Sequence, residues 1–142
     1  MQHEFDSSPL IEAIWQAKKH CYLPILSATD EKRLHFSRYR YGDPLHPNPY
    51  SILEPVHLVG EIAPDRLDLV IVPLIAFDRH GHRLGTGGGY YDKTFSFLVA
   101  HPSPQPHMIG LGFAVQEAEA LPHDPWDILL QAVVTEEEVI TF

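Results

Sequence analysis

Arg83, Tyr90, Asp92 and Lys93 crowd around the run Gly85-Thr-Gly-Gly-Gly89, and these are the residues whose types and spacing can do chemistry. Glycines in such a loop take positive φ without a Cβ penalty and let backbone N–H groups approach a bulky anion. Arg83 and Lys93 flank the loop with positive charge. Asp92 would repel a phosphate among these donors unless a Mg²⁺ ion bridged the two, so the loop points to a Mg-nucleotide. The spacing matches no general fingerprint: Tyr90 stands where G-x-G-x-x-G requires its last glycine, and no G-x-x-x-x-G-K-[ST] run exists. A glycine-rich surface turn fits the same spacing.

Something must hold that loop in place. Leu67-Asp-Leu-Val-Ile-Val-Pro-Leu74 is nearly continuous in apolar residues after Asp68, the pattern of a strand covered on both faces of a sheet. The loop then opens from the strand's carboxyl end, where open α/β sheets hold their ligands, and a helix is predicted from Tyr90 to Val99. Upstream, Ser8 before Pro9 reads as an N-cap, and Leu10, Ile11, Ile14 and Trp15 mark the inward stripe of a helix ending near His20, with Trp15 in the core. Cys21–Leu26 and Arg33–Arg40 read as strands, the second half-exposed. Asp43-Pro, His46-Pro and Asn48-Pro make residues 42–64 a long connection. His107–Phe113 reads as a buried strand, 121–127 as a turn and Ala132–Thr135 as a short closing strand.

With 142 residues and 44% hydrophobic content, the chain is expected to form one domain with its own core. A formal net charge of −9 argues against nucleic acid and against an anionic membrane, so an anionic small molecule needs a local basic patch. Arg79, His80, His82, Arg83 and Lys93, set against Asp78 and Asp92, are the candidates. The single cysteine, Cys21, allows no internal disulfide and reads as a buried structural thiol in a reducing compartment. No membrane-length segment or signal-peptide pattern occurs, which makes the cytoplasm the expected location. His80 and His82, one residue apart with no matching pair elsewhere, read as solvated loop residues rather than a zinc site.

Several ordered matches make the chain resemble the 5-formyltetrahydrofolate cyclo-ligase family, also called methenyltetrahydrofolate synthetase. Residues 73–92 follow the form P-x-x-A-F-D-x-x-G-x-R-L-G-x-G-x-G-Y-Y-D. Asn48-Pro-Tyr-Ser-Ile-Leu-Glu-Pro55 is similar to the family's N-x-F-x-I-x-E-P segment, Leu121-Pro through Asp127 to Glu136 to its closing motif, and Met1-Gln-His-Glu4 to the end of its first strand. The resemblance implies a three-layer, Rossmann-like α/β fold: an open, mostly parallel sheet with helices on both faces. It also implies use of Mg-ATP to close 5-formyltetrahydrofolate into 5,10-methenyltetrahydrofolate, with release of ADP and phosphate. Carried over by position, Arg83 and Tyr90 are the catalytic candidates. Arg83, Leu84, Gly85, Thr86, Gly87, Gly88, Gly89, Tyr90 and Tyr91 would hold ATP. Glu4, Tyr50, Thr86, Gly87, Gly88, Gly89 and Tyr90 would meet the folate, and Asp92 with Asp127 would hold Mg²⁺.

Bland readings stand beside these. Glu4 also suits a helix-entry acid, Tyr50 also suits core packing, and Asp127 also suits a routine turn carboxylate. Thr86 stands where relatives place an aromatic or basic side chain. The family's leading basic helix and most of its first strand have no counterpart here. The expectation is therefore an N-terminally truncated sheet, arising as a fragment or from a late start site, or completed by a partner. Two further readings follow: a non-catalytic folate- or nucleotide-binding member of the same fold, and a structural protein that self-associates through the exposed sheet gap.

Overall fold

The computed structural model describes residues 6–26, 32–85, 88–101 and 105–142. Glu4, Thr86 and Gly87 lie outside the described residues. Asp6–Pro64 form one compact unit and Asp65–Phe142 belong to another.

In the first of these, helix α1 (Ser8–Gln16) leads into an antiparallel sheet of β1 (Cys21–Leu26), β2 (Leu34–Tyr39) and β5 (Glu61–Ile62), in the order β1-β2-β5. Strand β1 has the predicted bounds. The helix is shorter than predicted: Lys18 takes φ +59° and ends it, well before His20. Its N-cap position is Ser7 rather than Ser8, and Asp6 Oδ1 accepts the Ser8 N–H at 3.0 Å. No residue of α1 is fully buried, so Trp15 is not core. Its ring lies across Tyr39 and Tyr41, and its indole N–H donates to the Tyr39 carbonyl at 3.0 Å. Cys21 is buried, and burial pushes its thiol pKa up, which keeps it unreactive.

The proline-rich connection contains a hairpin that periodicity could not show, β3 (Leu45–Pro47) with β4 (Leu53–Pro55). Asn48 makes the turn. Its side-chain oxygen accepts the N–H groups of Tyr50 (2.8 Å) and Ile52 (3.0 Å). Its amide N–H donates to buried Glu54 at 3.0 Å, and the same Glu54 oxygen accepts the Leu26 N–H at 2.9 Å. One carboxylate thus ties the hairpin to β1.

In the other unit, β6 (Leu69–Val72), β9 (His107–Leu111), β10 (Ala132–Val134) and β11 (Val139–Thr141) form a sheet of order β11-β10-β9-β6. β6, β9 and β10 run parallel and β11 is antiparallel. The α/β reading of a mostly parallel sheet holds: two pairings are parallel and the edge pairing to β11 is antiparallel. The core holds Val70, Val72, Leu74, Phe77, Phe95, Met108, Ile128, Leu130 and Val133. Burying such side chains contributes about 1.5–3 kcal/mol each. β11 is an addition to the sequence reading, and the single helix predicted at 90–99 is two, α2 (Tyr90–Thr94) and α3 (Phe97–Ala100).

The glycine loop does not leave β6 directly. Between them stands the hairpin β7 (Ala76–Phe77) and β8 (Arg83–Leu84), closed by Ile75 N–H to Leu84 O (2.7 Å) and Asp78 N–H to His82 O (3.1 Å). Gly81 turns this hairpin at φ +88°, where a Cβ would stand 2.9 Å from the Leu130 carbonyl oxygen. Only glycine fits there.

Candidate active site

The hairpin turn is organised by Asp78, which is 1% exposed. Its Oδ1 accepts the N–H groups of His80 (2.9 Å) and His82 (3.1 Å), and its Oδ2 accepts the Leu121 N–H at 3.0 Å and lies 3.0 Å from His82 Nδ1. Burial by itself raises a carboxyl pKa, but the hydrogen bonds from Leu121, His80 and His82 outweigh it and bring Asp78 down to about 2. One ionised side chain therefore shapes the turn that leads to Arg83 and holds the start of the 121–127 segment that carries Asp127.

Arg83 emerges from that turn with its side chain 8% exposed. One terminal N–H donates to the Pro73 carbonyl at 3.2 Å, the other terminal nitrogen is 3.8 Å from Asp92 Oδ2, and Nε is buried without a partner. The guanidinium carbon lies 5.6 Å from the Tyr91 ring centroid. Burial lowers its pKa, partly offset by Asp92, Tyr91 and Asp127. A guanidinium stays protonated in proteins, so this is a desolvated cation with incomplete hydrogen bonding. Gly85 permits the pose: a Cβ there would lie 2.6 Å from the Arg83 terminal nitrogen.

The two proposed metal carboxylates belong to the same neighbourhood. Asp92, on α2, accepts the N–H of Ile128 at 3.0 Å, the residue directly after Asp127. Asp127 accepts the Asp124 N–H at 2.9 Å, which fixes the turn around it. Each carboxylate has one oxygen held by backbone, the kind of outer support that orients hard oxygen ligands for Mg²⁺. Both also act electrostatically on Arg83. These donors fit a Mg-phosphate group: oxygen ligands for the ion and a buried cation for the anion.

The structure thus brings together Arg83, Tyr91, Asp92 and Asp127. Gly88 and Tyr90 are half-buried, Gly89 is exposed at φ +72°, and Leu84 is 43% exposed. Tyr50, in the other unit, is 69% exposed at the Asn48 turn, which removes core packing as its explanation. The expected basic patch is narrower than its residues imply. Arg79 is taken by Glu117 (3.0 Å) and Glu138 (3.2 Å), and His82 by Asp78. The anchoring of the turn by Asp78 through the N–H groups of His80, His82 and Leu121 is an addition to the sequence reading, although Asp followed three residues later by Gly is a legible turn signal.

The 5-formyltetrahydrofolate cyclo-ligase family model matches residues 1–136, across both units. The chain belongs to this family. The 5-formyltetrahydrofolate cyclo-ligase of Escherichia coli K12 is 43% identical over 137 residues, covering 96% of this chain and 74% of that protein. The Haemophilus influenzae protein of the same name is 37% identical, covering 89% of this chain and 67% of its own length. The solution structure of Aquifex aeolicus 5,10-methenyltetrahydrofolate synthetase superposes with TM-score 0.77 at 30% identity, over 97% of this chain and 66% of that one. A second synthetase structure, from Mycoplasma pneumoniae, has TM-score 0.69 at 20% identity and speaks to the fold alone. The family's form at residues 73–92 coincides with the hairpin, glycine loop and α2 that carry Asp78, Arg83 and Asp92.

Proposed function

We propose that this family member converts 5-formyltetrahydrofolate and ATP into 5,10-methenyltetrahydrofolate, ADP and phosphate, as one domain over residues 1–142. The observation that carries the reading is the buried Arg83 guanidinium, whose Nε–H has no partner and whose carboxylate neighbour stands off at 3.8 Å. A desolvated cation in that state gains from an incoming phosphate oxygen.

The reaction needs ATP because a formamide oxygen is a poor leaving group. Transfer of the terminal phosphoryl group to that oxygen forms an O–P bond and releases ADP. The neighbouring folate nitrogen then attacks the activated carbon, loses its proton, and phosphate departs with the former formyl oxygen as the ring closes. Phosphoryl transfer depends chiefly on positioning and charge neutralisation. Arg83, set against the Tyr91 ring and given room by Gly85, holds the phosphate oxygens, and the glycine loop offers them its backbone N–H groups. Tyr90 offers a phenolic donor to the oxygen that changes partners. Asp92 and Asp127 hold Mg²⁺, which when bound neutralises phosphate charge. Tyr50, exposed at its turn, and Glu4 bind the folate by ring stacking and by accepting pterin N–H donors.

Among the described residues no helix is long and apolar enough to cross a membrane. The buried lone thiol Cys21 suits a reducing compartment, and on that ground we propose the cytoplasm. Formation of the methenyl product, followed by absorbance with and without Mg-ATP, tests the reading. Binding of folate and nucleotide without turnover would establish the non-catalytic alternative, and binding of neither would end the assignment.

A further inference from the structure

Beside the Arg83 site, on the outer turn of the β7–β8 hairpin, Asp78, His80 and His82 each bring a ligand atom within 4.8 Å of the other two. We propose that these three residues form a second metal site, for a borderline first-row divalent ion such as Zn²⁺, separate from the oxygen ligands offered to Mg²⁺ by Asp92 and Asp127. His82 Nδ1 and Asp78 Oδ2 stand 3.0 Å apart, a gap now bridged by a proton. Ligands at about 2.0–2.1 Å from one ion can have that separation, so the ion takes the proton's place as the imidazole changes tautomer and carries its proton on Nε2. His80 is exposed and closes the third side, and water completes the coordination from solvent.

The surroundings favour a prepared site over a chance cluster. Asp78 is buried and held by the N–H groups of His80, His82 and Leu121, so its oxygens are fixed before any ion arrives. The His82 side chain is 17% exposed, and its ring stacks on His123 with centroids 3.6 Å apart and planes 9° apart. Parallel stacked rings cannot aim their lone pairs at one ion, so His123 fixes the plane of His82 without being a ligand. Two imidazoles and a carboxylate select Zn²⁺, Co²⁺ or Ni²⁺, whereas Mg²⁺ prefers an all-oxygen shell. An ion there would fasten the hairpin through Asp78 to the segment beginning at Leu121.

Zn²⁺ titration of the tag-free 142-residue chain by calorimetry, with Co²⁺ absorption as a spectroscopic probe, tests the site. One saturable Zn²⁺ per chain is expected, unchanged by excess Mg²⁺. His80→Ala, at an exposed position that leaves the fold intact, should weaken binding on the order of 10–100-fold and alter the Co²⁺ spectrum. His82→Ala should abolish the saturable phase. Absence of saturable one-to-one binding in the unaltered chain overturns the proposal. So does a His80→Ala variant with unchanged affinity and an unchanged Co²⁺ spectrum.

Discussion

Arg79 and Arg83 leave the same hairpin four residues apart and meet opposite fates. Arg79 is half exposed, grips both oxygens of Glu117 at 3.0 Å, and reaches Glu138 at 3.2 Å. Those carboxylates push its pKa above the ordinary range, the mark of a charge whose needs are met. Arg83 is buried, has one carbonyl and one distant carboxylate, and leaves Nε unpaired. An exposed and satisfied arginine closes surface structure, whereas a desolvated and unsatisfied one keeps bonding capacity for a ligand. Residue type cannot tell the two apart, because the chain reads both simply as basic.

The contrast is broken most directly at Arg83. Arg83→Ala should lower turnover about 10²–10³-fold, the scale of losing one charge-stabilising donor, while the thermal transition stays in place because an under-paired buried charge has gone. Global unfolding of that variant, seen by circular dichroism, would assign Arg83 to the scaffold instead. Asp92→Asn keeps an oxygen for the Ile128 N–H but gives up the charge. The Mg²⁺ concentration for half-maximal rate should rise on the order of 10–100-fold with folate affinity nearly constant. Equal losses in both would mean a damaged loop.

Asp78 supplies the turn beneath both arginines, so Asp78→Asn should destabilise the fold by about 1.5–3 kcal/mol in urea titrations, the cost of weakening hydrogen bonds to a charged group. Its acid behaviour sharpens the point. Since the folded pKa is depressed from 3.8 to about 2, ionised Asp78 stabilises the protein above pH 3.8, and that contribution is lost as pH falls toward 2. Acid-unfolding curves should show this step in the unaltered chain and lack it in Asp78→Asn. The smallest effect belongs to Arg79→Ala. Activity should stay within about twofold, since exposed ion pairs add little. A larger loss in the cyclisation assay would move Arg79 into the phosphate site and erase the distinction.

Much of this was legible along the chain. Strand β1 and the buried strands β6, β9 and β10 follow from local apolar runs, since covered strands need little else. The ordered residues 73–92 carried the family and with it the reaction class. What stayed hidden depends on partners far apart in sequence. The β3–β4 hairpin rests on Asn48 and Glu54 bonds that override a proline-rich composition, and Trp15 lies against Tyr39 and Tyr41 rather than in a core.

The sequence by itself determined that the loop has glycines, a flanking arginine and an acidic partner, because those are properties of residue type and order. Only the tertiary structure decided which arginine is desolvated and which is neutralised by Glu117 and Glu138. It alone also set Asp78 against His82 and Leu121, and Asp92 beside Asp127 through the Ile128 N–H. The physical reason is that burial and hydrogen-bond satisfaction are set by the neighbours that folding supplies, and a residue's chemistry follows from them as much as from its identity.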